Sequence, residues 1–406
     1  MRKISMLAAV LSLVLSGTAS AAPYIVSYQA NRADAVRSSI VKAGGSIKLQ
    51  YEIIHAVLAE IPNSRGVSDI SKIRGVIAVE EDKVINWLAG DQENLRASVQ
   101  LPSLAEILSD AKAADIQIPM AAAPSQAVSA VNLAESSSEI PWGVARVNAP
   151  GAWNFTEGAG VKVAVIDTGI NYNHPDLQAN YAGGYNAINP NAAPLDDQGH
   201  GTHVAGTIAA VRNGTGVIGV APKAKLYAVK VLASNGSGSF SAIISGIEWA
   251  TKNKMNVINM SLGGGGYMTA MHNAIKAAVA ANVTVVCAAG NDSGPVNYPA
   301  KYPESIAISA GDSNNQLAYF SSRGAEIEFI APGVNVYSTS ISGYYQNMSG
   351  TSMACPHVAG LAALAYSAGH RTPASVRSAF RKAASKLPVL TDEQQGAGLI
   401  DAAKLR

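Results

Sequence analysis

Hydrophobic and polar positions divide the chain into three stretches of different character. From residue 24 to about residue 87 the pattern is short and mixed. Residues 24–28, 46–51, 56–61 and 76–80 are strand-like, while 33–43, ending at Gly44-Gly45, and 67–73 suit helices. Two helices with several short strands predict a small α+β domain, marginal alone because it buries little surface. From 89 to 138 that unity is lost. Residues 102–114 carry an amphipathic helical pattern, and 119–137 are rich in Ala, Ser and Pro, the composition of a linker and a place for proteolytic trimming. From Ile140 onward, apolar runs at 161–166, 226–231, 257–260, 283–288 and 306–309 alternate with helical patterns at 202–210, 241–252, 269–281, 352–367 and 373–384. Apolar runs of strand length fit strands covered on both faces. The strand–helix alternation predicts an α/β domain with a mostly parallel sheet and right-handed crossovers.

Composition agrees with a folded chain. Of 406 residues, 48% are hydrophobic and 14% charged, and a net charge of +2 without a long basic tract leaves no footprint for nucleic acid. The first residues stand apart. Arg2 and Lys3 precede an apolar stretch at 6–15 and the small-residue sequence Ala19-Ser20-Ala21. That is the layout of a secretory signal peptide over 1–21, too short in its apolar part to span a bilayer. The expectation is a secreted, extracellular protein without a membrane anchor. Two cysteines, Cys287 and Cys355, exclude a framework of many disulfides. Whether these two are bonded to each other is open at this level, because disulfide geometry is demanding.

Four residues carry candidate chemistry, each where a strand meets a loop or helix. Asp167 closes the run Val-Ala-Val-Ile-Asp-Thr-Gly, the usual edge for a site in an open parallel sheet. His200 opens the helical pattern His-Gly-Thr-His-Val-Ala-Gly-Thr. His203 follows it by three positions, but no zinc-protease spacing or cysteine cluster accompanies the pair. Ser352 lies in Gly-Thr-Ser-Met-Ala-Cys-Pro-His, after a glycine and at a helix start, where unpaired N–H groups and a positive helix end favour developing negative charge. Asn291 follows Cys-Ala-Ala-Gly at the end of another strand, and its amide is a candidate donor to an oxyanion. A serine hydroxyl needs a base to become a nucleophile, and the base needs its tautomer held. The order Asp, His, Ser matches neither trypsin-like barrels nor α/β-hydrolases, and Ser352 lacks the Gly-x-Ser-x-Gly elbow of the latter.

These motifs, in this order, resemble those of the subtilisin-like serine endopeptidases over essentially all of the region from Ile140 to Leu405. The resemblance implies a three-layer α/β fold for a catalytic domain at 139–406. It also implies a catalytic triad in which Asp167 orients His200, His200 acts as base and acid, and Ser352 attacks. Asn291 and the Ser352 backbone N–H would form the oxyanion hole. Ser261-Leu262-Gly263 and Gly236-Ser237-Gly238 are similar to the family's two cleft walls, between which an extended peptide adds as a strand. Ala288, Ala289 and Gly290 would line the pocket for the side chain before the cut bond. Asn297 stands where the family has a small residue near the pocket floor, a departure that narrows or polarises it. Asp292 at the rim weakly favours a cation. The expected specificity is broad, with a hydrophobic or aromatic bias.

The resemblance also implies a structural Ca2+ site in the loop 211–217. Its ligands would be the Asn213 side chain, the carbonyls of Val211, Thr215 and Val217, and the Asp176 carboxylate. The family's N-terminal Gln ligand is unmatched, and Ser138 or Glu139 occupies its neighbourhood. Residues 22–88 resemble the family's propeptide domain, an intramolecular folding template and inhibitor, with 89–138 a linker removed on maturation. Its length points to two processing steps, one near the end of the propeptide and one within 121–138. By position Cys287 and Cys355 are neighbours, with a disulfide and two free buried thiols both open. Met353, beside the nucleophile, is an expected oxidation liability. His203 and His357 are expected to serve packing, and His55, His174, His272 and His370 show no convergent partners. A monomer acting on proteins and peptides completes the expectation.

Overall fold

The computed structural model describes residues 21–62, 64–90 and 139–406. The expected signal peptide and the 102–114 and 119–137 patterns lie outside these residues, apart from Ala21. The chain divides into two compact units, one ending at Glu81 and a larger one containing Asp82–Arg406.

In the first unit, strands Ser46–Tyr51, Ala56–Ile61, Ala22–Tyr28 and Val76–Glu81 lie side by side in that order, and Ala22–Tyr28 runs antiparallel to both its neighbours. Helices Ala33–Lys42 and Ser64–Ser71 contribute Val36, Ile40 and Ile70 to a core shared with Val26, Tyr28, Val57 and Ile61. This is the small α+β arrangement the pattern predicts. The second helix begins at Ser64, earlier than expected, because polar first-turn residues give no apolar signal.

The second unit is built on a nine-stranded sheet. Its order is Ala384–Ser385, Leu399–Ile400, Ile327–Pro332, Ile306–Gly311, Thr284–Ala288, Val257–Met260, Lys162–Asp167, Lys225–Lys230, Tyr181–Asn186. Every neighbouring pair is parallel except the first. Val163 and Val165 enter the core shared with helices His200–Ala209 and Thr351–Ser367. Ile166 and Val229 face the opposite way, onto Gly246 of helix Phe240–Lys252. Both faces are therefore covered, which is why these strands read as continuous apolar runs rather than alternating ones. Strand Tyr181–Asn186 gives no such signal. Its Gly184 passes so close to Ala228 that a Cβ there would lie 2.0 Å from the carbonyl oxygen. Among the described residues no helix is long and apolar enough to cross a membrane.

Two histidines are sealed between these layers. His203 hydrogen-bonds through Nε2 to the carbonyls of Val336 and Gln346, at 2.9 and 3.2 Å, and His357 through Nδ1 to that of Met353 at 2.9 Å. Burial, together with the neighbouring His200, pushes His203 down to about 3, and burial pushes His357 down to about 4. Both are neutral packing residues at neutral pH. The unfolded chain binds protons at these positions near pH 6.5 while the folded chain resists them, so stability must fall as pH drops from 6.5 towards 4. We expect a slope of up to about 1.4 kcal/mol per pH unit from each histidine. Denaturant unfolding of wild type and His357→Gln across this window, in protein blocked against autolysis, checks it. An equally steep acid loss in the variant would remove His357 as a cause.

Candidate active site

Asp167 ends its strand at the carboxyl edge of the sheet, with no exposed surface. Its Oδ1 and Oδ2 lie 2.8 and 3.0 Å from His200 Nδ1, and Oδ1 also accepts the Thr168 N–H at 2.7 Å. An ionised carboxylate only accepts hydrogen bonds, so Nδ1 carries the proton and Nε2 of the neutral ring keeps its lone pair. Thr168 extends the clamp: its hydroxyl accepts the N–H of Gly201, next to His200, at 2.9 Å.

Ser352 sits in the first turn of helix Thr351–Ser367, which packs against helix His200–Ala209. Its Oγ donates to Ser261 O at 3.2 Å. Pro356 lacks the N–H that would reach the Ser352 carbonyl four residues back. Ser261 Oγ supplies the missing donor at 2.8 Å, tying the cleft wall to the helix start. Asn291 is fixed from the other side. Its Oδ1 accepts Thr351 N–H and Oγ1–H at 2.7 and 2.9 Å, and Thr351 Oγ1 accepts Gly290 N–H at 3.1 Å. With the oxygen so engaged, the Nδ2 end of Asn291 is the donor end. Met353 is fully buried, which shields its sulfur.

The two expected walls hold a strand of the chain itself. Val84–Asn86 pairs antiparallel with Ser237–Ser239, setting Ile85 opposite Gly238. Trp87 N–H donates to Gly236 O at 3.0 Å, and Gly263 N–H to Trp87 O at 3.2 Å. The Trp87 ring stands edge-on to Phe240, 5.0 Å between centroids, with Nε1 donating to Gly238 O at 2.9 Å. Asp82, in the same unit, accepts Ser241 N–H at 2.9 Å. Gly90 reaches Asn291, where a Cβ on it would lie 3.0 Å from that of Asn291. A propeptide boundary at 88 therefore falls inside a segment that continues along the cleft to Gly90. The run Val-Ile-Asn-Trp-Leu was its signal in the sequence.

Beside Ser352 a cavity of about 300 Å³ is lined by Gly263, Ala288, Gly290, Asn291 and Asn297, together with Ala89 and Gly90. Of the expected lining, Ala289 is buried behind it, its carbonyl accepting Asn297 N–H at 2.8 Å. Leu262 is buried as well. Asn297 Nδ2 lies 3.4 Å from Asp292 Oδ2, and Ser322 Oγ donates to Asp292 Oδ1 at 2.6 Å. Burial pushes the Asp292 carboxyl up, but the bonds from Ser322, Gly294 and Asn297 outweigh it and hold it below its ordinary range. The rim is thus anionic.

The loop 211–217 gathers around Asp176, whose carboxylate is fully buried. Its partners are neutral: Asn213 Nδ2 at 2.9 Å, Val217 N–H at 3.1 Å and the Tyr345 hydroxyl. Gly216, at φ 65°, has no room for a side chain, since a Cβ would lie 2.4 Å from Asp176 Oδ2. Glu139 Oε1 accepts the N–H groups of Asn213 and Gly214 at 3.0 and 3.2 Å. A buried carboxylate with neutral partners, and a second carboxylate, Glu139, hydrogen-bonded to the same loop, are groups of the kind that a hard cation takes. Glu139 reaches the loop, while Ser138 lies outside the described residues.

Cys287 and Cys355 are buried and not bonded to each other. Burial pushes the Cys287 thiol up to about 12 and Cys355 well above the ordinary range, and Cys355 Sγ donates to Asn259 Oδ1 at 3.2 Å. Both are inert thiols. Two histidines expected to lack partners have them. His272 lies between Glu304 Oε2 at 2.8 Å and Tyr267 OH at 3.1 Å. His174 Nδ1 accepts Asp176 N–H at 3.1 Å, capping a short helix. Glu304 comes from another segment, which spacing does not reveal, whereas Tyr267 and Asp176 are near neighbours in sequence.

Residues 158–398 match the model of the Subtilase family, more than half of the chain. Subtilisin DY of Bacillus licheniformis is 53% identical over 231 residues, 55% of this chain and 84% of that protein. Subtilisin Savinase of Lederbergia lenta is 51% identical over 230 residues, 56% of this chain and 84% of that protein. Subtilisin E of Bacillus subtilis (strain 168) is 51% identical over 238 residues, 57% of this chain and 62% of that protein. With these similarities added to its three-layer α/β sheet, the chain belongs to the subtilase family and is a serine endopeptidase.

Proposed function

We propose that the chain is made as a secreted precursor and acts, once processed, as an endopeptidase of broad specificity, with Ser352 as nucleophile, His200 as general base and acid, and Asp167 as its orienting anion. The observation that carries this reading is the buried Asp167–His200 pair, beside a helix-start serine whose cleft already holds an extended peptide. His200 Nε2 takes the Ser352 proton as Oγ attacks the scissile carbonyl. The oxyanion is met by Asn291 Nδ2 and the Ser352 N–H at the positive helix end. His200 then returns the proton to the leaving amine, and water repeats the sequence on the acyl-enzyme. Main-chain pairing with both walls supplies affinity for any sequence. The cavity gives room for a large apolar side chain before the cut, while Asp292 and Asn297 add tolerance of a cationic one.

The cleft segment supports self-processing. Trp87 and Gly90 lie as a substrate or product would, so the first cut falls beside Gly90, and trimming up to Glu139 follows. The preceding small domain acts as folding template and inhibitor. Ca2+ at Asp176 and Asn213, with the carbonyls of Val211, Thr215 and Val217 and the Glu139 carboxylate, stabilises the folded enzyme by binding it in preference to the unfolded chain.

Ser352→Ala should leave the precursor uncut and abolish casein hydrolysis, while the wild type yields a fragment ending at Ala89 or Gly90 by intact mass. Casein hydrolysis surviving the substitution would end the proposal. Asn291→Ala should cut kcat about 10²–10³-fold with KM nearly unchanged. A loss confined to KM would remove Asn291 from the oxyanion site. Chelator should lower the unfolding temperature of the inhibited enzyme by several degrees, and Asp176→Asn should abolish that response. An unfolding temperature indifferent to chelator rules out the cation site.

A further inference from the structure

A buried lysine lies against Asp167 and takes no part in the chemistry above. Lys230 ends strand Lys225–Lys230, and the parallel register sets it opposite Asp167. It is 5% exposed. Its ammonium donates to Thr168 O at 2.7 Å, Leu232 O at 2.9 Å and Asp197 Oδ1 at 2.6 Å. Thr168 is the joint of the catalytic pair: its N–H holds Asp167 Oδ1 and its hydroxyl holds the residue after His200. One buried positive charge therefore grips the residue that joins the carboxylate to the imidazole. Its counter-ion, Asp197, is 54% exposed and only partly cancels it.

We propose that Lys230, with Asp197 as its solvent-facing counter-ion, is a positioning residue for the Asp167–His200 pair and sets the pH at which His200 becomes a base. The inference rests on the role given to His200 above. The titratable and charged groups facing this region come from five elements. Asp167 and Lys230 come from adjacent strands. Asp196, which accepts four bonds from Gln198, Gly199 and Thr202, and Asp197 come from the loop before the helix. His203, neutral, comes from the helix itself, and Cys355, held as a thiol, from the nucleophile helix. Lys230 supplies the ammonium of this set. It opposes the second positive charge of an imidazolium, so it lowers the pH at which His200 loses its proton. Asp197 acts with the opposite sign.

The test is the pH dependence of kcat/KM for the mature, calcium-loaded enzyme at low salt. In Lys230→Met the acid limb should move to higher pH, and in Asp197→Asn to lower pH, each by on the order of half a unit, with the exposed partner giving the smaller shift. A purely structural role would lower kcat in both variants without displacing the limbs in opposite directions. Coincident limbs, or limbs moving the same way, overturn the proposal. Should Lys230→Met fail to fold, the direction of the Asp197→Asn limb decides alone. Failure of the underlying catalytic reading is separately visible, because His200→Ala would then retain wild-type activity.

Discussion

A carboxylate held in the dry interior is the constraint around which this molecule is arranged. Asp167 has no solvent, so its charge must be met by protein groups. Those groups are the His200 ring and the Thr168 backbone. The same bond that satisfies the anion fixes the imidazole tautomer, so one contact meets a requirement of stability and, in the proposed mechanism, a requirement of general-base chemistry. Its location follows from the sheet: in open parallel sheets sites form beyond the carboxyl ends of the strands, and Asp167 and Asn291 both lie there.

The cleft extends the logic of the sheet outward. Its walls present unpaired strand edges, which invite a further strand. In this chain the invitation is taken by residues 84–87, which bond to Gly236, Gly263 and the strand between Ser237 and Ser239. Backbone pairing is indifferent to side chains, and this is the physical support for the broad specificity proposed above. Selectivity is left to the pockets, where Asn297 and Asp292 make a polar corner in an otherwise small-residue lining.

Polar groups elsewhere in the core follow the same economy. The carbonyl of Ser352, deprived of its helical partner by Pro356, is served by Ser261 Oγ. Asp176 is served by the 211–217 loop, and His203 and His357 stay neutral because burial removes the water that would support a charge. The boundary of the first compact unit is a similar matter of where contacts lie: it falls at Glu81, and the segment after it belongs with the cleft.

The sequence by itself determined the α/β class, the main core strands and helices, and the candidate quartet Asp167, His200, Asn291 and Ser352. These are local properties: apolar periodicity, strand ends and helix starts are written in consecutive residues. Glycine-rich Tyr181–Asn186 and the small strands Val336–Thr339 and Tyr345–Met348 were hidden, since they owe their form to neighbours rather than to an apolar run. Only the tertiary structure decided that Cys287 and Cys355 stay unbonded, that Glu139 reaches the 211–217 loop, that His272 meets Glu304, and that Lys230 stands opposite Asp167. Each of these pairs residues distant along the chain, and a separation in sequence carries no information about approach in space until the sheet register and helix packing are fixed.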